Sequence, residues 1–178
     1  MHLLSRLFVL IIAGVITAMS AAPVVADGLS RRLSCEDWSN DIQPAEWGWA
    51  VKDCIKQGRS GDAVRAFYAY NTTILFDQQR VRDESAHVVK DELNLWIFSA
   101  TSRDQFNAMK PFINEMRAKE GAFFEATCAA LTDLGPPDYR PQYMIKRGMI
   151  PRKSEDDWQV EGFEAAQAWQ QALEINGC

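Results

Sequence analysis

Residues 44–58, PAEWGWAVKDCIKQG, and residues 60–80, SGDAVRAFYAYNTTILFDQQR, decide the fold class. In the first run Trp47, Val51, Cys54 and Ile55 recur at i, i+4, i+7 and i+8, which is one apolar stripe on a 3.6-residue period. Pro44 suits a first helical position, where its missing N–H costs nothing, and Gly58 suits the residue just past a helix end. In the second run Val64, Phe67, Asn71, Ile74 and Leu75 fall near one face. So short a connection between two helices implies that they fold back on one another as an antiparallel αα-hairpin.

The pattern continues outward. The Gly-Asp-Ala start of the second helix and its small–aromatic spacing resemble a tetratricopeptide-like hairpin, but no second copy follows at a fixed period, so a repeat array is not expected. RDESAHVVKDELNLWIFSA (82–100) predicts a third helix over Glu84–Phe98 with Val89, Leu93, Trp96 and Ile97 inward. Ser102 followed by Gln105 is a capping box that opens a fourth helical region. Phe106, Met109, Ile113 and Met116 form its stripe, and Pro111 should bend or break it. Beyond Gly121, Phe123, Phe124, Cys128, Leu131 and Leu134 resume the period until Gly135-Pro136-Pro137 ends it. A last helix is expected across EDDWQVEGFEAAQAWQQALEI (155–175), with Phe163, Ala166, Trp169 or Gln170, and Leu173 inward and acids in its first turn, where the helix dipole favours them. The expectation is an all-α single compact domain of about five or six helices, beginning with the hairpin and stapled by disulfides.

The N-terminal stretch MHLLSRLFVLIIAGVITAMSAAPVVADG predicts compartment. Arg6 precedes an apolar run from Leu7 to Ala18, and Val24-Val25-Ala26 offers a cleavage site. Residues 1–26 are expected to be a secretory signal peptide, leaving a helical domain over 27–178 with no stable membrane anchor. Cleavage would remove Arg6 and no acid, taking the net charge from −5 to about −6. Such a surface argues against nucleic acid, which needs clustered cations, and favours a basic protein partner. The four cysteines of an exported chain are expected to pair, Cys35 with Cys54 and Cys128 with Cys178. Their spacing does not suit zinc.

Candidate chemistry is sparse. Glu84, His87 and Asp91 at i, i+3 and i+7 would share a helix face, which could orient an imidazole for acid–base work or begin a metal site. They underlie the alternative reading of an envelope hydrolase or metal-binding protein. Neither a metal nor a cofactor is expected. Asn71-Thr72-Thr73 matches a glycosylation acceptor but falls mid-helix, and Trp38, Trp47 and Trp49 have the spacing of core residues. The segment that fits no helix is PPDYRPQYMIKRGMIPRKSEDD (136–157), which lacks any period and is stiffened by Pro137, Pro141 and Pro151. Tyr139, Arg140, Tyr143, Met144, Arg147, Met149 and Ile150 are residue types enriched where proteins meet. The function expected is therefore non-catalytic protein–protein binding through this arm. A concrete version is an immunity protein that inhibits a basic toxin acting in the periplasm.

Overall fold

A computed structural model of the chain describes residues 33–178; the expected signal peptide lies outside them. In order come α1 (Pro44–Lys56), α2 (Ser60–Arg80), a 3-10 helix (Glu84–Val88), α3 (Val89–Phe98), α4 (Arg103–Ala118), α5 (Ala122–Leu134), the one-turn α6 (Gln142–Ile145) and α7 (Ala165–Ile175). The fold is all-α, and the only extended pairing among the described residues is an isolated antiparallel bridge between Val81 and Gln159.

The organising element is α2. A single apolar stripe was expected on it, but Ala63, Val64, Ala66, Ala69, Tyr70, Thr72, Thr73, Ile74, Phe76, Asp77 and Arg80 are all buried. The helix is enclosed on several sides because α1, α4, α5 and α7 all pack on it. Its alanines let neighbouring backbones approach. Tyr70, Phe76 and Ile74, together with Trp47 of α1, fill the centre and are at most 1% exposed. Each such side chain contributes on the order of 1.5–3 kcal/mol by leaving water. Trp47 meets Trp38 edge to face with ring centroids 5.0 Å apart, and Trp49 meets Trp96 at 4.9 Å, so the tryptophans serve packing. Thr72 and Thr73 are buried, and Asn71 donates to Asn176 at 2.7 Å, which ties α2 to the end of α7.

Two disulfides close the structure, Cys35–Cys54 and Cys128–Cys178, and no described cysteine is free. The first pins the segment before α1 to its core face. The second fastens the last residue to α5. Among the described residues no helix is long and apolar enough to cross a membrane.

Three expected boundaries move, each for a local reason. The third helix starts as 3-10, because Asp83 caps it by accepting from the Ser85 amide at 3.0 Å, and becomes α-helical only at Val89. Pro111 sits inside α4 without ending it. Pro111 and Asn107, four residues earlier, are both exposed, so water can reach the carbonyl that loses its partner. The break comes instead at Lys119, left-handed at φ 58°, and Gly121 at φ 97°. Finally α7 begins at Ala165, ten residues later than the acidic run. Asp157 is held by Arg82, Val160 N–H donates to the Arg80 carbonyl at 3.0 Å, and Gly162 turns left-handed. Ala166 is consequently exposed, while Ala168, Trp169, Ala172 and Leu173 form the buried face.

Candidate binding arm

The expected arm is built in two parts, one turned inward and one outward. The inward part rests on Asp77 of α2, which is fully buried. One of its carboxylate oxygens, Oδ2, accepts the phenol hydroxyls of Tyr143 at 2.6 Å and Tyr139 at 2.9 Å. The other, Oδ1, accepts from Arg80 Nε at 2.8 Å and lies 2.6 Å from Arg80 Nη2, a contact of charge rather than an aligned hydrogen bond. The i,i+3 spacing of Asp77 and Arg80 on one helix face puts them in reach. The Arg80 guanidinium in turn lies over the rings of Phe76 at 4.9 Å, Tyr139 at 5.0 Å and Trp158 at 6.0 Å.

Burial pushes the Asp77 carboxyl above its ordinary value, against the opposing pull of Arg80, Tyr143 and Tyr139. Burial first, and then the Asp77 charge, push both phenols well above the ordinary tyrosine range. They therefore act as hydrogen-bond donors to Asp77. The same part of the arm inserts α6 into the core, where Met144 is 0% and Ile145 6% exposed. Met144 was expected on the binding surface; buried as it is, it offers no surface to a partner.

The outward part follows. Met149 N–H donates to Ser85 Oγ at 2.9 Å and Ile150 N–H to Asp83 Oδ2 at 2.7 Å. Ser85 Oγ also donates to Asp83 Oδ1 at 2.5 Å. That Ser85 hydrogen bond, with the Ile150 and Ser85 amides, holds the Asp83 carboxyl below its ordinary value against its burial. Gly148 makes the approach possible, because a Cβ there would collide with the Asp83 carboxylate. Arg147 donates to Glu92 at 2.5 Å, and Arg140 donates to the Glu155 carbonyl at 2.6 Å. The returning limb is sewn down by Arg82 N–H to the Trp158 carbonyl at 2.9 Å and by the Arg82–Asp157 ion pair, whose Nη2–Oδ2 limb measures 2.9 Å. The backbone is thus fixed, yet the side chains of Met149 and Ile150 are 80% and 57% exposed. Beneath them, between Val81–Asp83 and the arm, is a cavity of about 340 Å³.

The alternative constellation does not assemble as the sequence suggested. Glu84 and His87 lie on the 3-10 turn and Asp91 on α3, so the three no longer follow one α-helical face. His87 Nε2 lies 3.4 Å from the Val81 carbonyl. Among the described residues no group of three or more His, Cys, Asp or Glu side chains is placed to hold a metal ion.

Sequence reasoning missed Asp77, Arg80, Asp83, Ser85 and Gly148. Two signals were present: an Asp-x-x-Arg pair following the apolar Ile74-Leu75-Phe76, and Asp83-x-Ser85, the signature of a side chain capping its own turn. No protein-family model matches the chain, and no curated protein or solved structure matches it either.

Proposed function

We propose that this is an exported, non-catalytic binding protein whose arm tip docks into a cleft of another protein, in the manner of an immunity protein that blocks a toxin acting in the periplasm. One observation carries the reading: Met149 and Ile150 point large apolar side chains into solvent from a backbone held by Ser85 and Asp83. Exposing them costs solvation that a partner would recover, and the fixed backbone has little entropy left to lose on binding. The disulfides suit an oxidising compartment.

Charge refines the partner. The net charge of −5 would steer in a basic protein over distance. The tip itself carries the exposed Lys146, Arg152 and Lys153, which suit carboxylates at the mouth of the cleft it would cover. The test uses the secreted protein of the gene next to this one as bait. Met149→Asp and Ile150→Asp should each weaken capture at least tenfold while the unfolding midpoint stays put. Capture unchanged by both variants would remove the tip from the interface, and capture of nothing by the wild-type chain would count against the immunity reading.

A further inference from the structure

A second feature lies apart from the arm and shares none of its residues. Between α2, the end of α3 and α4 runs a slot of about 350 Å³, walled by Ala63, Val64, Phe67, Phe98, Met109 and Ile113. That volume lies within the range of small-molecule sites. Phe106 stands at one end, 46% exposed, and Arg117 lines the slot eleven residues further along α4, about 16 Å away at 1.5 Å per residue. Among the described residues, the polar side chains in the wall are Arg117 and Tyr68. No carboxylate lines the slot, and Arg117 forms no ion pair among the described residues. Tyr68 lies near enough for the Arg117 charge to act on its phenol, whose pKa burial raises, so its hydroxyl is a second donor beside the guanidinium.

An elongated apolar trough with one cation and one hydroxyl in its wall is complementary to a molecule with an alkyl tail and a single anionic head. We propose that this slot binds a medium-chain alkyl carboxylate, its tail along Phe67, Phe98 and Phe106 and its head on Arg117 and Tyr68. The planar guanidinium fork matches a carboxylate in two parallel hydrogen bonds. A neutral alcohol of the same length would gain the tail contacts without the charge, and an alkylammonium would be repelled by Arg117.

The experiment titrates the intact, disulfide-bonded protein calorimetrically with decanoate, decanol and decylammonium, each below its aggregation limit. Decanoate should saturate at one per chain and bind at least tenfold tighter than decanol, with decylammonium weakest. Each methylene removed from the acid should weaken binding about fourfold. Arg117→Gln, at an exposed position, should erase the advantage of acid over alcohol. Ile113→Trp should fill the trough and reduce binding of all three. Equal affinity for decanoate and decanol, an unchanged preference in Arg117→Gln, or no saturable binding would each overturn the proposal. So would a concentration-dependent dimer dispersed by Ile113→Trp, which would make the slot a contact between two copies of this chain.

Discussion

Replacing Asp77 with Asn tests the anchor of the arm with almost no change of shape. Three donors converge on the two Asp77 oxygens, the phenols of Tyr139 and Tyr143 on Oδ2 and Nε of Arg80 on Oδ1, and Arg80 Nη2 adds a charge contact to Oδ1. An amide offers one acceptor and turns the other position into a donor, which then faces either the guanidinium or both phenols. With side-chain exposures of 7% for Arg80 and 0% for Asp77, water cannot compensate. Breaking a buried ion pair by removing one charge costs about 3–5 kcal/mol, a large share of the roughly 5–15 kcal/mol that holds a domain together. Tyr143→Phe is milder, because it deletes one charge-assisted bond of 2.6 Å and leaves the ion pair, for a loss of about 2 kcal/mol. Tyr139→Phe should cost somewhat less, since its bond is longer at 2.9 Å and phenylalanine keeps the ring under Arg80. Urea unfolding with the disulfides intact measures these losses. At a slope of about 2 kcal/mol per molar, Tyr143→Phe should lower the midpoint by about 1 M with the slope unchanged. The two tyrosine variants should also be non-additive by at least about 0.5 kcal/mol, because both donors share one oxygen. If Asp77→Asn unfolds within about 0.3 M of the wild type, the network does not anchor the arm and the reasoning fails.

The clasp at the tip should loosen in acid. The lowered pKa of Asp83 means that its contribution is present above the ordinary carboxylate value of 3.8 and is lost as pH falls through its folded value, so hydrogen exchange at Met149 and Ile150 should accelerate there before the core amides respond. Asp77 runs the other way: its raised pKa means that the cost of burying the ionised carboxylate is absent below 3.8 and appears as pH rises through its folded value, a slope that Asp77→Asn should remove. Gly148→Ala should displace the Asp83 carboxylate and speed proteolysis after Arg152 and Lys153, with little change in the global unfolding midpoint. Lys119→Gly should raise the melting temperature, since it relieves a side chain held at φ 58° by about 1 kcal/mol. Serine replacement of both cysteines of a pair should cost about 4 kcal/mol for Cys128–Cys178, whose separation is 50 residues, and about 3 for Cys35–Cys54 at 19, an order that chemical unfolding can check.

Periodicity read the helices well wherever a helix has one wet face and one dry face. The stripe of α1, Val89, Leu93 and Ile97 of α3 and the Ser102 capping box are where the spacing puts them, whereas on α5 only Leu131 of the expected stripe is buried, beside Thr127. Both disulfides pair as expected, one closing a short loop of 19 residues and the other tying Cys178 back to Cys128. The reading failed where the environment is not two-sided. In α2, Ala63, Ala66 and Ala69 are buried by close approach of neighbours, which a count of large apolar residues does not register. The start of α7 was misplaced because acidic residues suit a helix N-terminus and an ion pair equally well, and only the fold brings Arg82 to Asp157. The arm was legible as a segment without period. Its division was not, because it depends on Asp77, 62 and 66 residues away in sequence from the tyrosines it holds.

That division gives the arm its physical sense. Tyr139 and Tyr143 commit their hydroxyls to Asp77, and Met144 and Ile145 bury their side chains in the core. Burying them forces the chain up beside the 3-10 turn, where Asp83 and Ser85 capture two successive amides. Successive residues of the tip, Met149 and Ile150, are then left with their backbone satisfied and their side chains in water. A loop ordered only by its partner would lose about 1–2 kcal/mol of backbone entropy per residue on binding. Here the fold has already met that cost through Asp77 and Asp83. Variants that release the anchor without touching the tip should therefore weaken capture by slowing association or by demanding reordering, while tip variants should act on dissociation alone. Tyr143→Phe against Met149→Asp, compared by their association and dissociation rates, separates the two roles. If both variants change only the dissociation rate, and by equal factors, the anchored half of the arm touches the partner directly and the division drawn here is wrong.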